Sequence, residues 1–359
     1  MATKRKTLLN DFKEIIASGD LSKFEKAMSK CVPNATGGYH KYNAFGFPDI
    51  SESMARWLLD YGTDINFQDS YGYTPLHHHA MRRDGVEQVG LYIQLGADVN
   101  IQSRLNGAPI HGATEHGCAD TVKLLIANGA DIFAKTNTLN PAGGDTALEF
   151  ALARCRGADI TEKIDAVEIL VHSGVPITEK VREAAHRIGE GIEFFRAEFP
   201  VDRAPIIDDA LRRLYLLTGV APVARRHIHD GHSLITVTGS TWQEQYQELW
   251  DYLIPGKGAC ATVQGEVIRV SGRIADELLG VGGANWDKDY QKMLSAEKNY
   301  LSMGTALEQQ ELLELDSLIS GIGKNVNCED ALRRLQQLCV QWVQRNPTPI
   351  ALPAPDYRR

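Results

Sequence analysis

The sequence has no stretch near the roughly 18 consecutive apolar residues that a membrane-spanning helix needs. It also lacks an excess of positive charge: 38 Lys and Arg stand against 46 Asp and Glu, a net −8. That sign argues against nucleic acid or an anionic membrane as the main partner, and suits either a basic protein or plain solubility. The six cysteines (Cys31, Cys118, Cys155, Cys260, Cys328, Cys339) are scattered and include no CxxC pair. In a chain of this length they read as reduced structural thiols. Catalytic signatures are missing too. GxSxG and HExxH do not occur, and GVGGAN at 280–285 has neither a preceding strand nor a following Lys-Ser or Lys-Thr to make a phosphate cradle. The start, MATKRKTLLNDFKEII, turns polar before an apolar core of signal length develops, so a cytoplasmic location is expected.

What is present is enough apolar material, 43% of residues, for real cores, in a chain whose 359 residues favour two domains. Residues 69–100 run DSYGYTPLHHHAMRRDGVEQVGLYIQLGADVN. Thr74 is placed to cap a helix that opens on Pro75, whose missing N–H costs nothing at the first helical position. Gly96 suits the left-handed turn that ends a second helix. The closing Gly96-Ala97-Asp98-Val99-Asn100 has counterparts at Gly62-Thr63-Asp64-Ile65-Asn66 and Gly129-Ala130-Asp131-Ile132, a period of 33 to 34 residues. Turn, Thr-Pro-Leu-His opening and closing motif together resemble an ankyrin repeat almost position for position.

The resemblance covers roughly residues 8–218, strongly over 62–133 and weakly at both ends. Residues 8–30 resemble an N-terminal cap, a helix pair broken at Ser18-Gly19-Asp20. A degenerate unit follows, whose second helix begins at Ser51. The third unit has Ala108 where Thr is usual, which puts a capping hydrogen bond in doubt. The fourth keeps Gly144-Asp145-Thr146-Ala147-Leu148 and carries about twelve extra residues before Gly174, at 137–143 and 154–161; such insertions map to loops. Helices near 179–199 and 206–217 complete a last degenerate unit or cap.

Residues 219–240 carry the glycine and proline punctuation of a linker. Histidines 227, 229 and 232 are of a metal-ligating type, but no cysteine or second carboxylate lies near, so they read as solvated loop residues. Beyond, Thr241 and Glu244 form a capping box before a helix with Trp242, Tyr246, Leu249, Trp250 and Leu253 on one stripe. In ATVQGEVIRVSGRIADELLG, Val263, Val267, Val270, Ile274 and Leu278 share a face, and Gln264, Glu266, Arg269, Arg273 and Asp276 lie away from it. Gly265 and Gly272 each cost about 1 kcal/mol inside a helix, which points to another helix packed closely across them. Further helices include one capped by Asn327, and the tail NPTPIALPAPDYRR reads as extended. The TVQGEVIR…GGANWDKDY pattern resembles small bacterial helical domains of unknown function, some of which follow ankyrin repeats; this implies a bacterial source.

The expected architecture is therefore all-α: an ankyrin-repeat solenoid over 1–218, a linker over 219–240 and a C-terminal helical domain with a proline-rich tail over 241–359. The resemblance implies a non-enzymatic module that binds a protein partner through turn tips and outward first-helix residues. The candidates are Ser70, Tyr71, Tyr73, His78, Met81, Arg82, Arg104, Leu105, Asn106, Glu115 and His116. Of the three adjacent histidines, His77 takes the repeat's usual His position and His79 must fit between helices, leaving His78 to face outward. Expected partners are a protein, such as a toxin neutralised by a cognate immunity protein, with no nucleic acid and no membrane, and the free chain is expected to be a monomer. No cofactor, metal or catalytic residue is expected. The alternative is an enzyme or small-ligand domain over 241–345, with the repeats recruiting its substrate. Its candidate polar cluster is Gln264, Glu266, Arg269, Asn285, Trp286 and Asp287, for which a salt-bridge network is the commoner meaning.

Overall fold

The computed structural model describes residues 3–104, 106–137, 144–322 and 328–358. The chain is mostly helical and divides into two compact units, Met1–Ile192 with Val201–Val223, and Glu193–Pro200 with Ala224–Arg359. No helix among the described residues is long and apolar enough to cross a membrane.

The first unit opens with a departure from an all-helical plan. Strand β1 (Arg5–Thr7) pairs in parallel with β2 (Cys31–Thr36), and the short helices α1 (Phe12–Ala17) and α2 (Leu21–Met28) lie between them. Phe12 and Phe24 bury their rings 5.6 Å apart, and Phe12 meets Phe47 edge-on at 5.1 Å. The second unit of the repeat series has a single 3₁₀ turn (Ala44–Gly46) where a first helix is expected, then α3 (Glu52–Asp60), capped by Ser51.

The regular stack follows: α4 (Pro75–Ala80), α5 (Val86–Gln94), α6 (Pro109–Glu115), α7 (Ala119–Ala127), α8 (Ala147–Ala153) and α9 (Ile160–His172). Two longer helices, α10 (Glu179–Phe195) and α11 (Ala204–Thr218), come next. Gly62, Gly96, Gly129 and Gly174 all sit at positive φ where each unit turns, as the period requires. An asparagine ladder ties neighbours together. Asn34, Asn66 and Asn100 accept from the backbone N–H of Asp64, Asp98 and Asp131 in turn, at 2.8–2.9 Å. It ends at Phe133, which occupies the next asparagine position and is 56% exposed.

The outer two of the three adjacent histidines reach the neighbouring units. His77 caps its own helix through Thr74 and reaches the Gly107 carbonyl of the next unit at 3.0 Å. His79 points back to the Phe45 carbonyl of the previous unit at 3.0 Å, which also accepts from the buried Tyr92 hydroxyl at 2.8 Å. Burial holds both imidazoles down to a pKa of about 4, so they are neutral donors. Ala108 has the same extended backbone as Thr74 but makes no side-chain cap.

In the second unit, α12 (Trp242–Leu253), α13 (Val263–Ala275), α14 (Lys288–Leu301), α15 (Gln309–Gly321) and α16 (Glu329–Arg345) surround one core. Helix α13 is central and packs on α12, α14 and α16. A single turn of π-helix, Asp276–Gly280, continues it. Gly272 is explained by α12, since a Cβ there would fall 2.2 Å from Trp250; one on Gly265 would fall 2.9 Å from Cys260 in the loop after α12 and 3.3 Å from Leu253 at the end of α12. Among the described residues 234–238 form no strand; Ile235 is buried and its N–H donates to the Pro347 carbonyl at 2.8 Å. The Asn327 cap lies outside the described residues.

Candidate functional site

At the turn of the best-formed repeat, Asp69 organises its neighbours. Its Oδ1 accepts from the backbone N–H of Tyr71 and Tyr73 at 2.8 and 2.9 Å, which closes the tip. Its Oδ2 faces His78 Nε2 at 2.9 Å. Burial pulls the His78 imidazole below its ordinary value against the upward pull of Asp69, so the pair is best described as a neutral imidazole donating to a carboxylate. His78 therefore lies half-buried against the tip, where it braces the turn.

Around it stands an aromatic cluster. His40 meets Tyr39, Tyr71 and His78 at ring separations of 5.2, 5.4 and 5.6 Å, and His78 also meets Tyr42 and Tyr73 at 5.2 and 5.6 Å. The Ser70 hydroxyl donates to the His40 carbonyl at 2.9 Å. Tyr39 is 83% exposed and Tyr71 46%, so the cluster is anchored underneath and open above. Tyr39, His40 and Tyr42 are absent from the sequence-derived candidates. Their signal was the turn Gly37-Gly38-Tyr39-His40, 30 residues before Ser70, at a repeat tip in a unit without a first helix.

The remaining candidates fall in two groups. Arg104 is exposed, donates its backbone N–H to the Tyr71 carbonyl at 3.3 Å and lays its stem over Gly72, where a Cβ would sit 3.0 Å away. Asn106 donates to the Tyr73 hydroxyl. Leu105 lies outside the described residues. The second group follows the first-helix ends. Met81 wedges against Gly112, whose Cβ would fall 2.6 Å from its Cγ, so Met81 is a packing residue as well as a surface one. Arg82 pairs with Asp84, and Glu115 with Arg154 at 3.5 Å, while His116 is exposed.

In the second unit the polar residues of the first two turns of α13 are buried, contrary to an outward polar face, while Arg273 farther along is exposed. Gln264 and Glu266 are fully buried and Arg269 is 3% exposed. Glu266 takes four donors: Cys260 N–H (3.0 Å), Arg269 Nε (2.9 Å), a terminal Arg269 nitrogen (2.6 Å) and the Tyr357 hydroxyl (2.7 Å). Burial presses the carboxyl upward, but Arg269 and the other donors outweigh it and hold it below its ordinary value. A carboxylate so saturated has the geometry of a lock rather than of a general base. Gln264 donates to the Asn346 and Thr348 carbonyls and accepts from Ile350 N–H, so it clamps the extended tail. Tail residues buried these side chains, and the tail lies 80 to 90 positions away, beyond the reach of local periodicity.

Asn285 bonds both oxygens of Glu277, Trp286 stacks on Tyr290 at 5.5 Å, and Asp287 caps α14 through Asp289 and Tyr290 N–H. Among the described residues no group of three His, Cys, Asp or Glu side chains is placed to hold a metal. His229 instead bonds the Ser233 carbonyl at 2.8 Å and packs edge-on against Tyr252.

Residues 49–136 match the family model for ankyrin repeats in three copies. An ankyrin repeat protein of Fowlpox virus (strain NVSL) is 34% identical over 99 residues, 28% of this chain and 15% of the relative. Human ankyrin repeat and SOCS box protein 6 is 29% identical over 128 residues, 35% of this chain and 29% of the relative. The palmitoyltransferase Hip14 of Drosophila melanogaster is 38% identical over 82 residues, 22% of this chain and 12% of the relative. The chain thus spans less than a third of the length of each of these relatives.

Proposed function

We infer that the chain, whose residues 49–136 match the family model for ankyrin repeats, is a protein–protein interaction module. We propose that it captures a protein partner through the repeat tips, with the aromatic cluster of Tyr39, His40, Tyr71 and His78 as the anchor and Arg104 beside it. One observation carries this reading: two exposed tyrosines stand on a base of rings and hydrogen bonds, with Tyr71 fixed by Asp69 before any partner arrives. Tyr and Arg held rigid at a surface lose little entropy on binding and are the commonest interface anchors.

The narrower form of the proposal is an immunity-type role, in which this chain neutralises a cognate toxin. The net charge of −8 suits a basic partner of that kind. The test is a pull-down from the native host with mass spectrometry, comparing the natural chain with the triple variant Tyr39→Ala, Tyr71→Ala, Arg104→Ala. All three residues are on the surface, so the melting curve should be unchanged while the partner is lost. Retained capture by the folded variant overturns the tip-binding model.

A further inference from the structure

The second unit contains a cleft of about 440 Å³ that none of the repeat chemistry uses. Its volume is in the range of small-molecule sites. Aromatic walls come from Phe194, Phe195, Trp250 and Tyr290, and Phe195 is 46% exposed there. Helix α13 contributes Arg269 and Arg273, the π-helical turn that continues it contributes Asp276, and the loop after α12 contributes Lys257. Arg269 belongs to the buried Glu266 pair. Arg273 and Lys257 are exposed and, among the described residues, have no ion-pair partner. Two open cations beside aromatic side chains outnumber the one exposed carboxylate on the lining, Asp276, a local exception in a chain of net charge −8.

The walls are braced in advance. Arg226 lies over the Phe194 ring at 4.1 Å and donates to the carbonyls of Asp251, Phe194 and Trp250 at 2.6, 3.0 and 3.0 Å. Trp250 is seated against Gly272, the one residue type on α13 that leaves room for its ring. Aromatic side chains on the lining suit an apolar ring, and the exposed Arg273 and Lys257 offer charge to an anion at its edge.

We propose that this cleft binds a small planar aromatic anion, with the ring between the aromatic walls and the anionic group on Arg273 and Lys257. The proposal is independent of partner capture by the repeats. It is tested on the full chain by calorimetric titration in low salt, with AMP and indole-3-acetate as probes and adenosine and indole as their uncharged counterparts. The expected result is saturable binding of at least one anion with quenching of tryptophan fluorescence, at least about tenfold tighter than its uncharged counterpart. Binding of AMP alone identifies a nucleotide site, and binding of indole-3-acetate alone an aryl carboxylate site. The double variant Lys257→Glu, Arg273→Glu should lose at least about tenfold in affinity with an unchanged melt, and Phe195→Ala should weaken binding separately. Absence of binding by both anions up to about 10 mM overturns the proposal. So does equal binding by the double variant.

Discussion

The Tyr357 hydroxyl lies 2.7 Å from Glu266 Oε1, so a residue near the end of the described chain closes the charge network at the centre of the second unit. It also meets the Tyr300 hydroxyl at 3.0 Å, which joins tail, α13 and α14 at one point. Tyr357→Phe keeps the ring and removes the donor to a buried carboxylate. It should destabilise the second unit by about 2 kcal/mol, read from urea unfolding of the full chain. A loss of much less would mean that Arg269 and Cys260 already satisfy Glu266.

Acid should weaken the repeat stack before it touches the carboxylates. His77 and His79 titrate at about 4 in the fold because burial disfavours the cation, against about 6.5 unfolded. Between those values the unfolded chain binds more protons, so stability rises with pH and is lost as pH falls from 6.5 toward 4. Each histidine contributes on the order of 3 kcal/mol across that window. Replacing His79 by Gln should reduce the slope of unfolding free energy against pH by up to about 1.4 kcal/mol per unit there. An unchanged slope would exclude His79 as a proton-linked residue.

The repeat boundaries were legible because each is punctuated locally: Gly62, Gly96 and Gly129 need left-handed backbone, and the Asp-x-Asn motif bonds within a few residues and to the next unit. His77 was legible from the resemblance, because it stands at the repeat's usual His position. The tip cluster was only half legible, because Tyr39, His40 and Tyr42 come from a unit whose first helix is reduced to a 3₁₀ turn, so they had no register against the repeat. Helix α13 was legible as a helix but not as a core element. Its polar residues look solvated until the tail carbonyls at Asn346 and Thr348 are brought to Gln264.

Ala108 offers a repair. Its φ and ψ of −78° and 167° nearly equal those of Thr74, −84° and 165°, but it has no hydroxyl for the helix start. The following histidine shows the loss: among the described residues His111 Nδ1 is buried without a hydrogen-bond partner, whereas His77 Nδ1 has the Thr74 hydroxyl at 2.8 Å. Ala108→Thr should stabilise the first unit by about 1 kcal/mol, seen as a higher urea midpoint with unchanged slope.

Glu297 is fully buried, accepts from the Cys339 thiol at 3.0 Å and has its second oxygen unpartnered. Burial pushes its carboxyl well above the ordinary range, so it is folded as a neutral acid. A group with a raised folded pKa contributes stability below its unfolded pKa and loses it as pH rises. Glu297→Met, of similar volume, should therefore stabilise the second unit at pH 8 and gain little at pH 4.5. A gain that does not grow with pH would mean that Glu297 is ionised in the fold.

Two helical glycines should respond in opposite ways to the same substitution. Gly191 in α10 has nothing within 4 Å of an added Cβ, so Gly191→Ala should stabilise by about 0.5 to 1 kcal/mol through the lost freedom of the unfolded chain. At Gly272 the added carbon would fall 2.2 Å from the Trp250 ring and 3.0 Å from the Tyr246 hydroxyl, on two residues of α12 that cannot move independently. Gly272→Ala should therefore cost about 1 to 3 kcal/mol and shift tryptophan emission as the Trp250 ring is displaced. Equal responses at the two positions would mean that helix propensity, rather than the close approach of α12, sets the need for glycine in α13.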